Sequence, residues 1–264
     1  MFPILRVIGA LPKLFKVAYA KTLTRGPGPL KIFVKIFLAL FVLTLASSAF
    51  GSTTYSNIDQ RSGWITCSTC GGKSGSTSAA PHTLTQGLSS PSLDGASANF
   101  FLGGSTPYSD VIWWNRLGGN DSATHFVYDL QFYVKNPSAP QALEFDVNQT
   151  VGSSWYVFGT ECNYRQYGQW RVWDTKNAKW MLTGIPCQLP KAYTWNHVTL
   201  EYQRTNGVAK FISVTFNGVK HYINKAYYPK GGSGSQISVA VQLDGNYLQT
   251  DFSLYVDKLT LTYW

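Results

Sequence analysis

The feature that most constrains this chain is its repeated strand pattern. From Ala98 to the end, apolar/polar alternation recurs at roughly 10- to 15-residue spacing, and no segment after residue 51 carries a convincing 3.6-residue apolar period. The clearest segments are 98–102, 110–115, 124–135, 141–149, 153–161, 168–174, 193–204, 208–217, 219–223, 236–244 and 252–263. About eleven strands without helices leave a sandwich or a barrel as the fold class, here read as an all-β, antiparallel two-sheet sandwich. The side-chain chemistry agrees: Trp, Tyr, Phe, Thr and Val are abundant and only 13% of residues are charged. Residues 52 to 97 are rich in Ser, Thr and Gly. They read as one short strand around Trp64 followed by long loops. No internal repeat of fixed period is visible.

Charge is distributed unevenly. Arg6, Lys13, Lys16, Lys21, Arg25, Lys31 and Lys35 all precede Gly51, and no acidic residue does. The formal +9 of the chain is therefore a property of its first segment, and the remaining 15 basic and 13 acidic residues nearly balance. A nucleic-acid partner is not indicated. Lys31 and Lys35 lead into the uncharged run Ile36–Ala46 and then Ser47, Ser48 and Ala49, the order of a secretory signal. The run is shorter than the roughly 20 residues a membrane span needs. The expectation is a leader over 1–51 and a single β-sandwich domain over 52–264, exported and without a membrane span once cleaved. Residues 1–30 are long for a signal n-region and point to a mis-set start, with the true one near Leu30.

Four cysteines suit an oxidising compartment. Cys162 and Cys187 flank separate strand-like segments and are expected to pair. Cys67-x-x-Cys70 has no second C-x-x-C and no βαβ context, so it reads as a tight structural disulfide in a loop rather than a redox or zinc motif.

Two hairpins can be registered from alternation. In 141–149, Leu143, Phe145 and Val147 share one face, and Glu144, Asp146 and Asn148 the other. With Thr150 and Ser153 flanking a two-residue turn, the polar face gains Trp155, Gly159 and Glu161. Glu144 then faces Gly159, and Glu161 is diagonal to Glu144 at a Cβ separation of about 7 Å or a little less. The second hairpin turns around Asn206-Gly207-Val208 and puts Val198, Leu200, Tyr202, Ile212, Val214 and Phe216 inward. Asn217-Gly218 makes a further two-residue turn.

The stretch Leu143-Glu144-Phe145-Asp146-Val147-Asn148 resembles the E-x-D strand of the concanavalin A-like lectin/glucanase superfamily. The closing Val256-Asp257-Lys258-Leu259-Thr260-Leu261 resembles the last strand of such sandwiches. More loosely, the chain looks like a group of secreted bacterial proteins of this fold. The resemblance implies a jelly-roll sandwich covering most of 98–264. In laminarinase-type hydrolases the strand reads E-x-D-x-E, which would make Glu144 a nucleophile and Asp146 its electrostatic neighbour. Asn148 stands where the family has its acid/base Glu, and an amide cannot act as a general acid. Glu161 is the candidate substitute. In legume lectins the E-F-D acids hold metal ions with Asp and Asn residues of the following loop. Gln149 to Tyr156 contains no acid, so no metal ligand is assigned. No cofactor is expected, although a structural calcium elsewhere in the sandwich is compatible with the pattern.

Aromatic residues supply a second sugar signal, because Trp and Tyr rings pair an apolar face with a polar edge. Trp155 shares the acidic face, and only one of the adjacent Trp113 and Trp114 can face a ligand. Asn148, Trp155, Gly159, Trp113 and Gln242 form the candidate ligand-binding set; Glu144, Asp146 and Glu161 form the catalytic set of an enzyme. His125, His197 and His221 read as structural or surface residues. No Ser-centred elbow, H-E-x-x-H or phosphate loop is present, and Gly231–Ser235 reads as a flexible loop. Asn120-Asp121-Ser122 and Asn148-Gln149-Thr150 match glycosylation sequons.

Three functions fit these residues. The first is a secreted, monomeric, lectin-like sandwich that binds extracellular plant or microbial polysaccharide. The second is a polysaccharide hydrolase or lyase using Glu144 with Glu161. The third is a structural or adhesion sandwich in which Glu144 and Asp146 merely pair with basic neighbours.

Overall fold

The computed structural model describes residues 51–70 and 80–264. The leader, Gly51 apart, lies outside them, as does the reading of a mis-set start at 1–30. Among the described residues there are fourteen strands, one 3-10 turn at Ile58–Gln60 and no α-helix. No helix there is long and apolar enough to cross a membrane.

The strands are β1 (Thr53–Tyr55), β2 (Ile65–Cys67), β3 (His82–Leu88), β4 (Ser97–Leu102), β5 (Asp110–Gly118), β6 (His125–Val134) and β7 (Pro140–Asn163). They continue as β8 (Gln169–Asp174), β9 (Lys179–Pro186), β10 (Trp195–Thr205), β11 (Val208–Phe216), β12 (Val219–Tyr227), β13 (Lys230–Gly245) and β14 (Phe252–Tyr263). Two antiparallel sheets result. The larger runs β12-β11-β10-β6-β14-β4-β3, with β1 on β14, and the smaller runs β2-β5-β13-β7-β8-β9. This is the two-sheet antiparallel sandwich expected from the strand pattern and from the lectin/glucanase resemblance.

The core lies between the sheets, where inward residues of both interdigitate. Phe158 of β7 meets Phe126 of β6, Tyr202 of β10 and Phe211 of β11 at ring-centroid distances of 5.5, 5.1 and 6.1 Å. Phe132 of β6 meets Phe145 of β7 at 5.7 Å. Each fully buried side chain of this size contributes about 1.5–3 kcal/mol by removal from water. Two buried hydroxyls tie the layers: Tyr128 donates to the Ala240 carbonyl and Tyr202 to Thr160 Oγ1. Pairs like these fix register, because a one-residue slip would strand a hydroxyl in an apolar layer.

Several local expectations are corrected. β1, β3 and β9 were not foreseen; β1 is only three residues long, and β3 and β9 have mixed burial without a strong apolar face. Gly231–Ser235 is not a flexible loop. It lies within β13, which pairs with β7 around the tip of that strand: Ser235 with Val151, Gly231 with Ser154, Lys230 with Trp155. Ile212 does not point inward, because a bulge opposite Glu201/Tyr202 between Phe211 and Ser213 turns Ala209 and Phe211 into the core instead. The Asn217-Gly218 turn behaves as read, and the loop expected around Asn206-Gly207-Val208 closes in two residues, with Val208 already paired to Thr205. Asn206-Gly207 and Asn217-Gly218 all have positive φ, 48° and 73°, then 47° and 85°, which Asn and Gly tolerate best. Cys67–Cys70 and Cys162–Cys187 both form disulfides.

Candidate functional site

β7 carries the polar strand and folds back on itself. The chain reverses near Gly152, at φ 57°, and the Thr160 amide donates to Asp146 Oδ1 across the reversal. A Cβ on Gly159 would lie 3.5 Å from Asp146 Oδ1 and 2.9 Å from Trp173 Cβ. Gly159 thus sits beside Asp146, two residues from its expected place opposite Glu144. A two-residue shift keeps each side chain on its own face. The polar face therefore survives, and Glu161 moves up to Glu144. The shift also corrects the role expected for Gly159. Trp173, not a ligand, occupies the space above it.

Outward residues of β5, β13, β7, β8 and β9 line a cleft of about 1080 Å³ on the outer face of the smaller sheet. Trp114 and Asp110 belong to its β5 side. Gln242 and Asp244 of β13 and Glu144, Asp146, Asn148, Trp155 and Glu161 of β7 lie centrally, and Arg171, Trp173 and Trp180 come from β8 and β9. With both arms of β7 counted, the five strand spacings from β5 to β9 make this face about 24 Å across.

Trp113 is the second correction. Its side chain is 2% exposed and packs edge-on against Phe100 at 5.4 Å. The alternation of β5 gives the core Val111, Trp113 and Leu117, and the cleft Ile112, Trp114 and Arg116. Trp155 does face the cleft, with Lys230 Nζ 4.4 Å from its ring centre. Trp173 and Trp180 contact edge-to-face at 5.2 Å. Arg171 lies over Tyr167 at 4.5 Å and ion-pairs with Glu161.

One carboxylate oxygen each from Glu144, Glu161 and Asp244 lie within 4.8 Å of one another. Glu144 and Glu161 are buried and Asp244 half-buried. Burial, reinforced by the charge of Asp146, pushes the Glu144 carboxyl well above the usual range. Burial also raises Asp146 to about 7, against the opposing hydrogen bonds from Glu144 and the Thr160 amide. Asp244 is driven up by burial and then by Glu161 and Asp110. Glu161 is raised by burial more than the Arg171 guanidinium lowers it. Such a set can carry protons near neutrality, with Glu144 donating to Asp146, or bind a hard cation. Glu144 Oε2 and Asn148 Oδ1 are buried without a hydrogen-bond partner.

Of the sequence-read residues, the cleft gathers Glu144, Asp146, Asn148, Trp155, Glu161 and Gln242, and leaves Trp113 in the core. Asp244, Trp114, Asp110 and Lys230 were missed. Asp244 was findable, since it follows Gln242 by two on a strand whose Ile237, Val239, Val241 and Leu243 fill the core.

No family model and no curated protein matches the sequence. Among solved structures, an endo-β-1,4-glucuronan lyase from the fungus Trichoderma reesei is similar, with a TM-score of 0.46 and 12% identity over 76% of this chain and 94% of that one. Arcelin-5, a lectin-like defence protein of Phaseolus vulgaris, gives a TM-score of 0.44 and 11% identity over 81% and 98%. An alginate lyase in complex with alginate trisaccharide gives 0.43 and 13% over 75% and 97%. The fold itself rests on the strand pairing: a two-sheet antiparallel β-sandwich with a polar, aromatic-lined cleft on one sheet.

Proposed function

We propose that this protein is exported and binds a polysaccharide chain in the cleft of its smaller sheet. The observation that carries the reading is the lining. Trp114, Trp155, Trp173 and Trp180 accompany a row of hydrogen-bonding groups, Glu144, Asp146, Asn148 and Gln242. Pyranose rings present apolar faces and equatorial hydroxyls, and flat indoles beside amides and carboxyls complement both. Two disulfides are compatible with an oxidising compartment. The structural or adhesion reading fares less well. Among the described residues, neither Glu144 nor Asp146 makes an ion pair with a basic side chain.

A second reading, a polysaccharide hydrolase or lyase, is favoured by one specific arrangement. Glu144 donates a hydrogen bond to Asp146 and has Glu161 next to it. A neutral carboxyl beside ionisable ones is the setting for proton transfer. Electrophoresis of the mature protein through gels containing a panel of neutral and acidic polysaccharides tests the first reading, and retardation by at least one is expected. Assay of the same panel for reducing ends and unsaturated products, with wild type and Glu144→Gln, tests the second. Cleavage abolished by Glu144→Gln would assign an enzyme. Retardation without cleavage assigns a binding module, and neither effect on any polysaccharide refutes both.

A further inference from the structure

We infer that Glu144, Glu161 and Asp244 form a binding site for one calcium-sized divalent cation on the cleft floor. The three carboxylates come from both arms of β7 and from β13, and their nearest oxygens lie within 4.8 Å of one another. Oxygens on opposite sides of a calcium ion are about 4.6–5.2 Å apart, twice the 2.3–2.6 Å bond length, and those of magnesium about 4.0–4.2 Å. Oxygens within 4.8 Å of one another can share one ion of either kind, and three protein carboxylates favour calcium, because magnesium is usually held through one or two and keeps its waters.

An independent observation points to a ligand. Glu144 is 6% exposed and its Oε2 has no hydrogen-bond partner, so a buried carboxylate oxygen in the cluster lacks a donor. An unmatched buried acceptor of this kind is costly. A bound cation would satisfy it.

Charge leads to the same place. Once Glu144 passes the proton of its hydrogen bond to Asp146, the three ionised carboxylates with Arg171 paired to Glu161 carry a net −2, which one divalent ion neutralises. The surroundings hold the ligands in position, since Arg171 fixes Glu161 and Gln242 Nε2 donates to Asp244 Oδ1 at 2.9 Å. Outer contacts of this type orient carboxylates toward metals. The ligand set differs from the metal pair implied by the legume-lectin resemblance. It takes nothing from the loop Gln149–Tyr156, which has no acid. Because the site opens into the cleft, glycan oxygens could complete the ion's shell.

The test needs no glycan, so its failure leaves the polysaccharide reading standing. Chelator-treated protein is titrated with calcium chloride by calorimetry, and its melting is followed with and without 10 mM calcium. Expected are one site of sub-millimolar affinity and, for a Kd near 0.1 mM, a rise in Tm of about 5–10 °C. Asp244→Asn, at the half-buried edge of the cluster, should weaken binding about tenfold or more while the protein stays folded. Glu144→Gln should do the same, and if it fails to fold, Asp244→Asn carries the test alone. Asp129→Asn, on the other sheet, should leave binding unchanged. Absence of both calcium heat and a Tm response in wild type would overturn the proposal. So would calcium binding that survives Asp244→Asn at full strength.

Discussion

Arg171 offers the sharpest test of how the cleft floor is held together. Its guanidinium ion-pairs with Glu161, and the two side chains are 14% and 3% exposed. Water cannot replace the guanidinium at that burial. Arg171→Met keeps most of the stem but leaves Glu161 unpaired, with carboxylate oxygens of Glu144 and Asp244 within 4.8 Å. Removing one partner of a buried pair costs about 3–5 kcal/mol, and loss of the guanidinium over Tyr167 adds about 0.5–1 kcal/mol or more. For a sandwich of this size the sum lowers Tm by about 7–24 °C. Protonation of Glu161 would cap the loss, so urea unfolding should be followed at pH 8 in EDTA. The double variant Glu161→Gln/Arg171→Met carries no buried charge at either position and should recover most of the loss. The reasoning fails if Arg171→Met costs under about 1 kcal/mol, or if the double variant is no more stable than the single one.

Further predictions follow from the same geometry. In chelator, stability should fall as pH rises from about 5 to 8. Asp146 has a folded pKa of about 7, above its ordinary value of 3.8, so its protonated form stabilises the fold at low pH and that contribution is lost as pH climbs through 7. The drop over that window should be about 2–3 kcal/mol, the two pH units between 5 and 7 at about 1.4 kcal/mol each, and urea midpoints of Asp146→Asn should be flatter with pH. Gly159→Ala should cost about 1–3 kcal/mol in urea unfolding, because its methyl would lie 2.9 Å from Trp173 Cβ. Replacing Cys162 and Cys187 together by Ser should cost about 3.5 kcal/mol, the loop entropy of a 25-residue separation, read as a lower Tm under non-reducing conditions.

The fold was largely legible because alternation with period two is a direct imprint of a half-buried sheet. Leu143, Phe145 and Val147 against Glu144, Asp146 and Asn148 sorted correctly into core and cleft. Weakly alternating strands escaped: β9 leaves Leu182 46% exposed and has no apolar face to betray it. Trp113 and Trp114 show a different limit. Alternation says that they part company, but only the β5 pairing says which enters the core. Register across the β7 reversal was not legible either, since shifts of two residues preserve every face and are decided by the turn at Gly152 and by Trp173 over Gly159. The acid cluster hid for that reason. Glu144 and Glu161 lie 17 positions apart and Asp244 a further 83, and only the sheet order brings them together.

The central claim is that the cleft of the smaller sheet holds a polysaccharide chain. It is tested most directly by calorimetric titration of the polysaccharide that most retards the wild type against Trp155→Ala, Trp114→Ala and Trp195→Ala. Trp155 and Trp114 line the cleft, whereas Trp195 packs against Tyr133 in the other sheet. The account predicts about fivefold or greater loss of affinity for each of the first two, near 1 kcal/mol per ring, and none for the third. Unchanged affinity in both cleft variants, or loss only with Trp195→Ala, would contradict it.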